Sequence, residues 1–298
     1  DLYIYDLYDG APASKITIGG KVLAADNMVT TVDALKTAIE KGGEIILGAD
    51  VTLTETITIS GNVTLNLNGN SLDASSIKGR PFDMQDGSSL TINGGTSVVK
   101  VGKYGLVNIP IGNTASITLN EGVYQGNTDN GAFIKVRGSE DQEETNIVNI
   151  VLKGVKYTDA STNGYILNTS EFDGTCKVTV DGGTYSAGGG FQGLTTDSSV
   201  SGATITSTSA VTSPAMFAVE FEGGNSSIEN CTVNAKYIAI SVGFEGTVTV
   251  NNCTVASDTY AYAIFPTGGN INVTGGSYEG DLYIYDLYDG APASKITI

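Results

Sequence analysis

The chain has 298 residues, with 15 basic against 32 acidic side chains, no histidine and a formal net charge of −17. Such a surface repels nucleic acid and anionic lipid, and without histidine neither a serine triad nor a cysteine–histidine pair can be assembled. No stretch reaches the roughly 18 consecutive apolar residues of a membrane-spanning helix, while 40% hydrophobic residues and only 6 prolines predict a folded chain.

In chain order, the first predicted element is "DLYIYDLYDGAPASKITI", Asp1 to Ile18. Leu2 and Ile4 alternate with Tyr3 and Tyr5, a turn follows through "YDGAPAS", and "KITI" returns as a strand carrying Ile16 and Ile18. Residues 19–29, "GGKVLAADNMV", are too short and too apolar for a free linker, so Val22, Leu23, Met28 and Val29 are expected to pack. A helix near residues 31–42 follows in "TTVDALKTAIEKGG", with Val32, Leu35, Ala38 and Ile39 on one face. Thr30 with Asp33 resembles a capping box, and Gly42-Gly43 supplies the stop.

From Glu44 onward the sequence is a ladder of short alternating strands ending in Asn-, Asp- or Gly-rich turns, as in "LTINGGTSV", "KVTVDGGTY" and "TVNNCTVAS". The last apolar residue before each turn is Ile46, Leu67, Ile92, Leu119, Leu152, Val180, Val200, Ile228, Val250, Val273 and Ile298, a mean spacing near 25 residues. Hairpin sandwiches turn every ~8–12 residues, so the longer period predicts coils of three strands and three turns. The expected fold is therefore all-β, a right-handed parallel β-helix (β-solenoid) of about 11 coils, with the helix over its open first edge. Val, Ile and Leu point inward, Thr, Ser, Asn and Lys point out, and Gly and Asn take the left-handed corners. The longest loop is expected around "GSEDQEETN", Gly138 to Asn146.

"VDALKTAIEKGGEIILGADVTLTETITISGNVTLNLNGNSL", Val32 to Leu72, resembles the amino-terminal cap and first coils of right-handed parallel β-helix proteins of the pectate-lyase-like superfamily. More narrowly, it is similar to non-catalytic repeats of large surface proteins of gut and other anaerobic bacteria. That resemblance implies a right-handed solenoid and an extracellular, cell-surface setting, in a family that holds both enzymes and non-catalytic proteins.

The first eighteen residues recur letter for letter at Asp281 to Ile298, a period of 280 residues. The copy ahead of the helix stands on the wrong side of the cap. Residues 1–18 therefore read as the terminal coil of a preceding repeat, and residues 19–298 as one repeat unit. An array of near-identical units, deliberately self-complementary ends and a cloning overlap all account for the echo; the first two join units head to tail. The partner is then the chain's own next unit, and the product a stiff rod. The residues expected at the contact between units are Leu2, Ile4, Ile16, Ile18, Val22, Leu23, Met28, Val29, Val32, Leu35, Ile39, Leu282, Ile284, Ile296 and Ile298.

Signals for chemistry are sparse. A calcium-dependent polysaccharide lyase needs clustered carboxylates beside a basic residue, and Arg80 and Arg137 stand in no acidic strand context. Asp173, Asp181 and Asp197 are the candidates for a hydrolase's paired carboxylates on one face, but Asp173-Gly174 and Asp181-Gly182-Gly183 read better as turn residues. Solvated acidic turns are the simpler reading of Asp6 and Asp9, with a bridging calcium ion the alternative. No cofactor motif is present. Cys231 and Cys253 fall one coil apart, which predicts a stacked pair, reduced in the favoured reading because parallel strands aim both side chains the same way, with a disulfide stapling two rungs as the alternative; Cys176 reads as core. Sequons begin at Asn62, Asn168, Asn225, Asn230, Asn252 and Asn272. Tyr3, Tyr5 and Tyr8 are strand residues first and a sugar-stacking strip second. The expected function is structural, a unit of an extracellular filament or giant repetitive adhesin. A polysaccharide-acting enzyme and a glycan-binding module are the alternatives.

Overall fold

In the computed structural model the described residues are 16–128, 130–138, 147–169, 175–209, 217–243, 246–258, 262–283 and 295–298. Expectations placed on Leu2, Ile4, Tyr3, Tyr5, Tyr8, Asp6, Asp9, Asp173 and Ile284, and on residues 139–146, lie outside them.

The alternating strands wind into a parallel β-solenoid, as the spacing predicts. One coil shows the plan. Ile147–Lys153 lies on the first face, Lys156–Asp159 on the second and Tyr165–Asn168 on the third. The next coil repeats it with Thr175–Asp181, Thr184–Ala187 and Gly189–Leu194, each pairing in parallel with its predecessor. Strand hydrogen bonds therefore run from coil to coil, along the long axis.

The sequence pattern places most of the core correctly. Ile92, Leu119, Leu152, Val180, Val200, Ile228, Val250 and Val273 are consecutive partners in one column on the first face. Above Ile92 the column continues through Leu65 and Ile45, not Leu67 and Ile46. In both coils a further buried apolar residue follows the rung position, Leu67 after Leu65 and Ile46 after Ile45, so the residue nearest the turn is not the one in the column. About eight coils are formed, fewer than the eleven expected. At both ends the rungs are partial, with strands such as Val51–Thr52 and Asp281–Leu282 only two residues long.

The corner between the first and second faces is held by left-handed residues. Gly154, Gly182, Gly202, Asn230, Asn252 and Gly275 have φ between 50° and 67°. Only glycine and asparagine occupy that region cheaply. On the second face Tyr124, Tyr157 and Tyr185 stack inside consecutive coils, and Phe133 lies parallel to Tyr157 with centroids 4.2 Å apart.

Helix α1, Val32–Lys41, covers the first coil by burying Leu35 and Ile39 completely or nearly so. Each such side chain contributes about 1.5–3 kcal/mol of apolar burial. The N-cap is Thr31 rather than Thr30: the Ala34 N–H donates to Thr31 Oγ1 at 3.2 Å. With alanine three residues on, the reciprocal half of the expected capping box has no side chain to form it. Gly42 ends the helix at φ 74°, its N–H shared between the Ala38 and Ile39 carbonyls.

Ahead of the helix the chain departs from the expected coil. β1, Ile16–Ile18, and β2, Lys21–Ala24, form an antiparallel hairpin around Gly19-Gly20. At the other end Lys295–Thr297 continues the first face by pairing in parallel with Asn270–Asn272.

Candidate functional site: the two ends and the third face

At the start of the stack, β2 docks on the chain's own flank through Asn68, in the corner after Asn62–Asn66. The Val22 N–H donates to Asn68 Oδ1 at 2.7 Å, and Asn68 Nδ2 donates to the carbonyls of Val22 and Leu47 at 2.8 and 3.1 Å. Asn70 Nδ2 also donates to Leu47 at 2.7 Å. These side chains satisfy backbone groups that no strand reaches. Among the residues expected at the contact between units, Val29, Leu35 and Ile39 are buried in the core of their own first coils, Val32 packs against that core, and Val22 is buried where β2 docks on Asn68. Met28 is half-buried, its side chain against Gly48.

Apolar surface left open gathers at the two ends. Ile18, Leu23, Leu282, Tyr283 and Ile298 make five of the eight exposed large apolar side chains among the described residues, and Ile298 is 85% exposed. Ile16 is half-buried; Ile296 is also half-buried and packs against the core.

The third face carries a second feature. Its outward side chains form one column, in which Asp83, Asn108, Lys135, Asn168 and Gln192 are strand partners in succession, and Glu220, Ser241 and Phe265 continue it. Hydrogen bonds link the column. Asn108 Nδ2 donates to Asp83, Arg137 Nε to Asn108, Lys135 Nζ to Asn168, and Asn168 Nδ2 to Gln192. Arg80, Lys135 and Arg137 line a pocket of about 270 Å³ with Tyr104 and Tyr165 at its sides. Arg80 Nε is buried without a partner among the described residues. Burial, then the nearby Arg137, lowers the Arg80 guanidinium to about 10.

Further along, the column turns acidic. Glu220 accepts from Gln192 and the Gly193 N–H, while its Oε2 is buried without a partner among the described residues. Burial, then the neighbouring Glu222, pushes the Glu220 carboxyl up to about 8. Aromatic rings follow near the last coil, where Tyr283 stacks on Phe265 with centroids 5.7 Å apart and lies 5.2 Å from Tyr262. Tyr283 is the copy of Tyr3 in the repeated segment.

Sequence reasoning passed over Lys135, Glu220 and Glu222, and it placed Arg80 and Arg137 in no acidic strand context. The two arginines meet because residues two coils apart share one face, a proximity no local motif displays. "FAVEFE", Phe217–Glu222, did hold a signal: two acids at alternate, outward positions. Asp181 and Asp197 lie at opposite ends of the first-face strands, Asp181 beside Ser201 and Asp197 four residues before it. Among the described residues no three carboxylates or cysteines converge as a metal site.

Cys231 and Cys253 occupy the same corner of successive coils, since Thr232 pairs with Thr254. Both are buried free thiols, and so is Cys176. Asn168 differs from the other sequon asparagines: it is buried and its amide is held in the third-face column, so a glycan there would break the column. Asn62, Asn225, Asn230, Asn252 and Asn272 are exposed.

No family model, curated protein or solved structure matches the chain.

Proposed function

We propose that the chain is a structural module, a β-solenoid unit joined head to tail with further copies into a rod on a bacterial cell surface. In this reading it is a non-catalytic relative of the pectate-lyase-like β-helices. One observation carries the proposal. The segment Lys295–Thr297 adds a rung to one end of the stack, while the same letters stand ahead of the cap at the other. The concentration of open apolar side chains at the two ends supports it. The charge of −17 suits a shaft that must avoid lateral clumping.

About eight coils at ~4.8 Å give a unit roughly 40 Å long. A protein of two consecutive units, viewed by electron microscopy, is expected as a rod about twice the length of the one-unit chain. Two units folded side by side, or a particle no longer than one, would overturn the proposal. The reading gives the chain no chemistry of its own. Release of unsaturated or reducing ends from pectins or related glycans would refute that part.

The third face favours a second reading, a module that holds an acidic glycan. Basic side chains and tyrosines around one pocket, with further rings along the same face, provide charge pairing and sugar stacking. Calorimetric titration with uronate-containing and neutral oligosaccharides tests it. Binding of the acidic series that is lost in Arg80→Ala and Arg137→Ala supports the reading; equal binding of both series, or none, removes it.

A further inference from the structure

We propose that the repeated strand is a two-edged connector: one edge closes the last rung of its own solenoid, and the other takes the β2 strand of the next copy. The inference rests on the head-to-tail reading above and names the contact that reading leaves open.

Backbone N–H and C=O groups of successive strand residues point to opposite edges. At the far end, the Lys295 N–H donates to the Gly269 carbonyl at 3.3 Å, and Lys295 and Thr297 pair with Asn270 and Asn272. Lys295 and Thr297 therefore face the strand beneath, which leaves Ile296 and Ile298 facing the open edge. In β1 the same letters are seen from the other side. Ile18 pairs with Lys21 across Gly19-Gly20, whose φ values are 59° and 81°. A two-residue turn with both φ positive is closed by a hydrogen-bonded pair, so Ile18, and Ile16 two residues before it, face β2. The edge that β2 occupies in one copy of the segment is the edge left open in the other.

β2 fits the same plan. Val22 turns its N–H and C=O to Asn68 of its own solenoid, so Lys21 faces the strand across from it, and after a register shift at Leu23 it is Ala24 that pairs with Ile16. Both pairings can exist on one strand at once, linking the Asn270–Glu279 strand of one unit to the Asn68 corner of the next. The occupant is a second copy of this unit, because the structure holds its β2 seated on an identical strand. The joint lies at the Asn68 corner, beside the helix-covered end. Consecutive solenoids are thus joined by a step, not by a cap pressed on to the preceding rung.

The full chain provides the test. In it β1 covers β2, so Ile16→Pro with Ile18→Pro, which removes the two donors facing β2, should free β2 for the terminal strand of a second copy. Light scattering should then show dimers and longer linear species where the unaltered chain is monomeric. Adding Ile298→Pro, which deletes a donor on the open edge and none toward Asn270–Glu279, should restore the monomer. A double variant that stays monomeric, or association that survives Ile298→Pro, overturns the connector.

Should the prolines unfold the chain, amide exchange on a protein of two consecutive units decides. The Ile296 and Ile298 amides between the units should slow by about tenfold or more against the one-unit chain; unchanged exchange refutes the connector. Rods in micrographs without that protection would leave the head-to-tail reading standing and this contact refuted.

Discussion

Ile16–Ile18 and Lys295–Thr297 belong to copies of one eighteen-residue segment, yet they sit in opposite kinds of sheet. The first is antiparallel to Lys21–Ala24 and lies outside the stack; the second is parallel to Asn270–Asn272 and extends it. The letters specify a strand with one half-buried isoleucine and leave its partner to the surroundings. Where two left-handed glycines follow, the chain must reverse and pair with itself. Where a finished rung lies beneath, inward isoleucine meets inward isoleucine, and Ile296 pairs with Ile271. The two ends of the solenoid are correspondingly unequal, one sealed by a helix and the other closed by a strand whose last residue is exposed.

That inequality can be broken in graded steps. The largest effect is expected for Leu35→Ala under the cap, a loss of about 2–5 kcal/mol because Leu35 is fully buried; thermal melting reads it. Asn68→Ala should follow at about 1–3 kcal/mol, since it leaves the buried Val22 N–H and C=O without partners, while the Leu47 carbonyl keeps its bond from Asn70. Its signature is fast amide exchange at Val22 with the last rungs unaffected. Gly20→Ala, at φ 81°, is expected to cost about 1 kcal/mol and to loosen β1 alone; spread of the change to Lys295–Thr297 would show that the two copies are not independent. Smallest is Ile296→Ala, about 0.5–1 kcal/mol for a half-buried side chain, seen as faster exchange at Ile271 and Thr297. A loss as large as that of Leu35→Ala would abolish the contrast between the ends.

Much of the solenoid was readable from the letters because its core is written at two periods. Alternation within strands marks what points inward, and the recurrence near 25 residues marks which strands stack. Eight of the chosen core residues, from Ile92 to Val273, are indeed one column. Leu67 and Ile46 fell off it because buried apolar residues continue past the rung there, and the letters do not say which of them lies in the column. The cap helix was legible from Leu35 and Ile39, its first residue only to within one position.

The hairpin was not legible. "KITI" is an equally good strand for either partner, and the deciding contact, Asn68 to Val22, spans 46 residues. The third-face column was hidden for the same reason, since Arg80, Lys135 and Asn168 become neighbours only once coils are stacked.

Because the hydrogen-bond ladders lie along the axis, a pull from the two ends does not shear them together. It strips the terminal coil first, then the next. A coil of 22 residues, such as that from Thr232 to Thr254, would release roughly 75 Å of chain when fully extended. A tether built this way yields gradually, lengthening many times over before its last coil lets go.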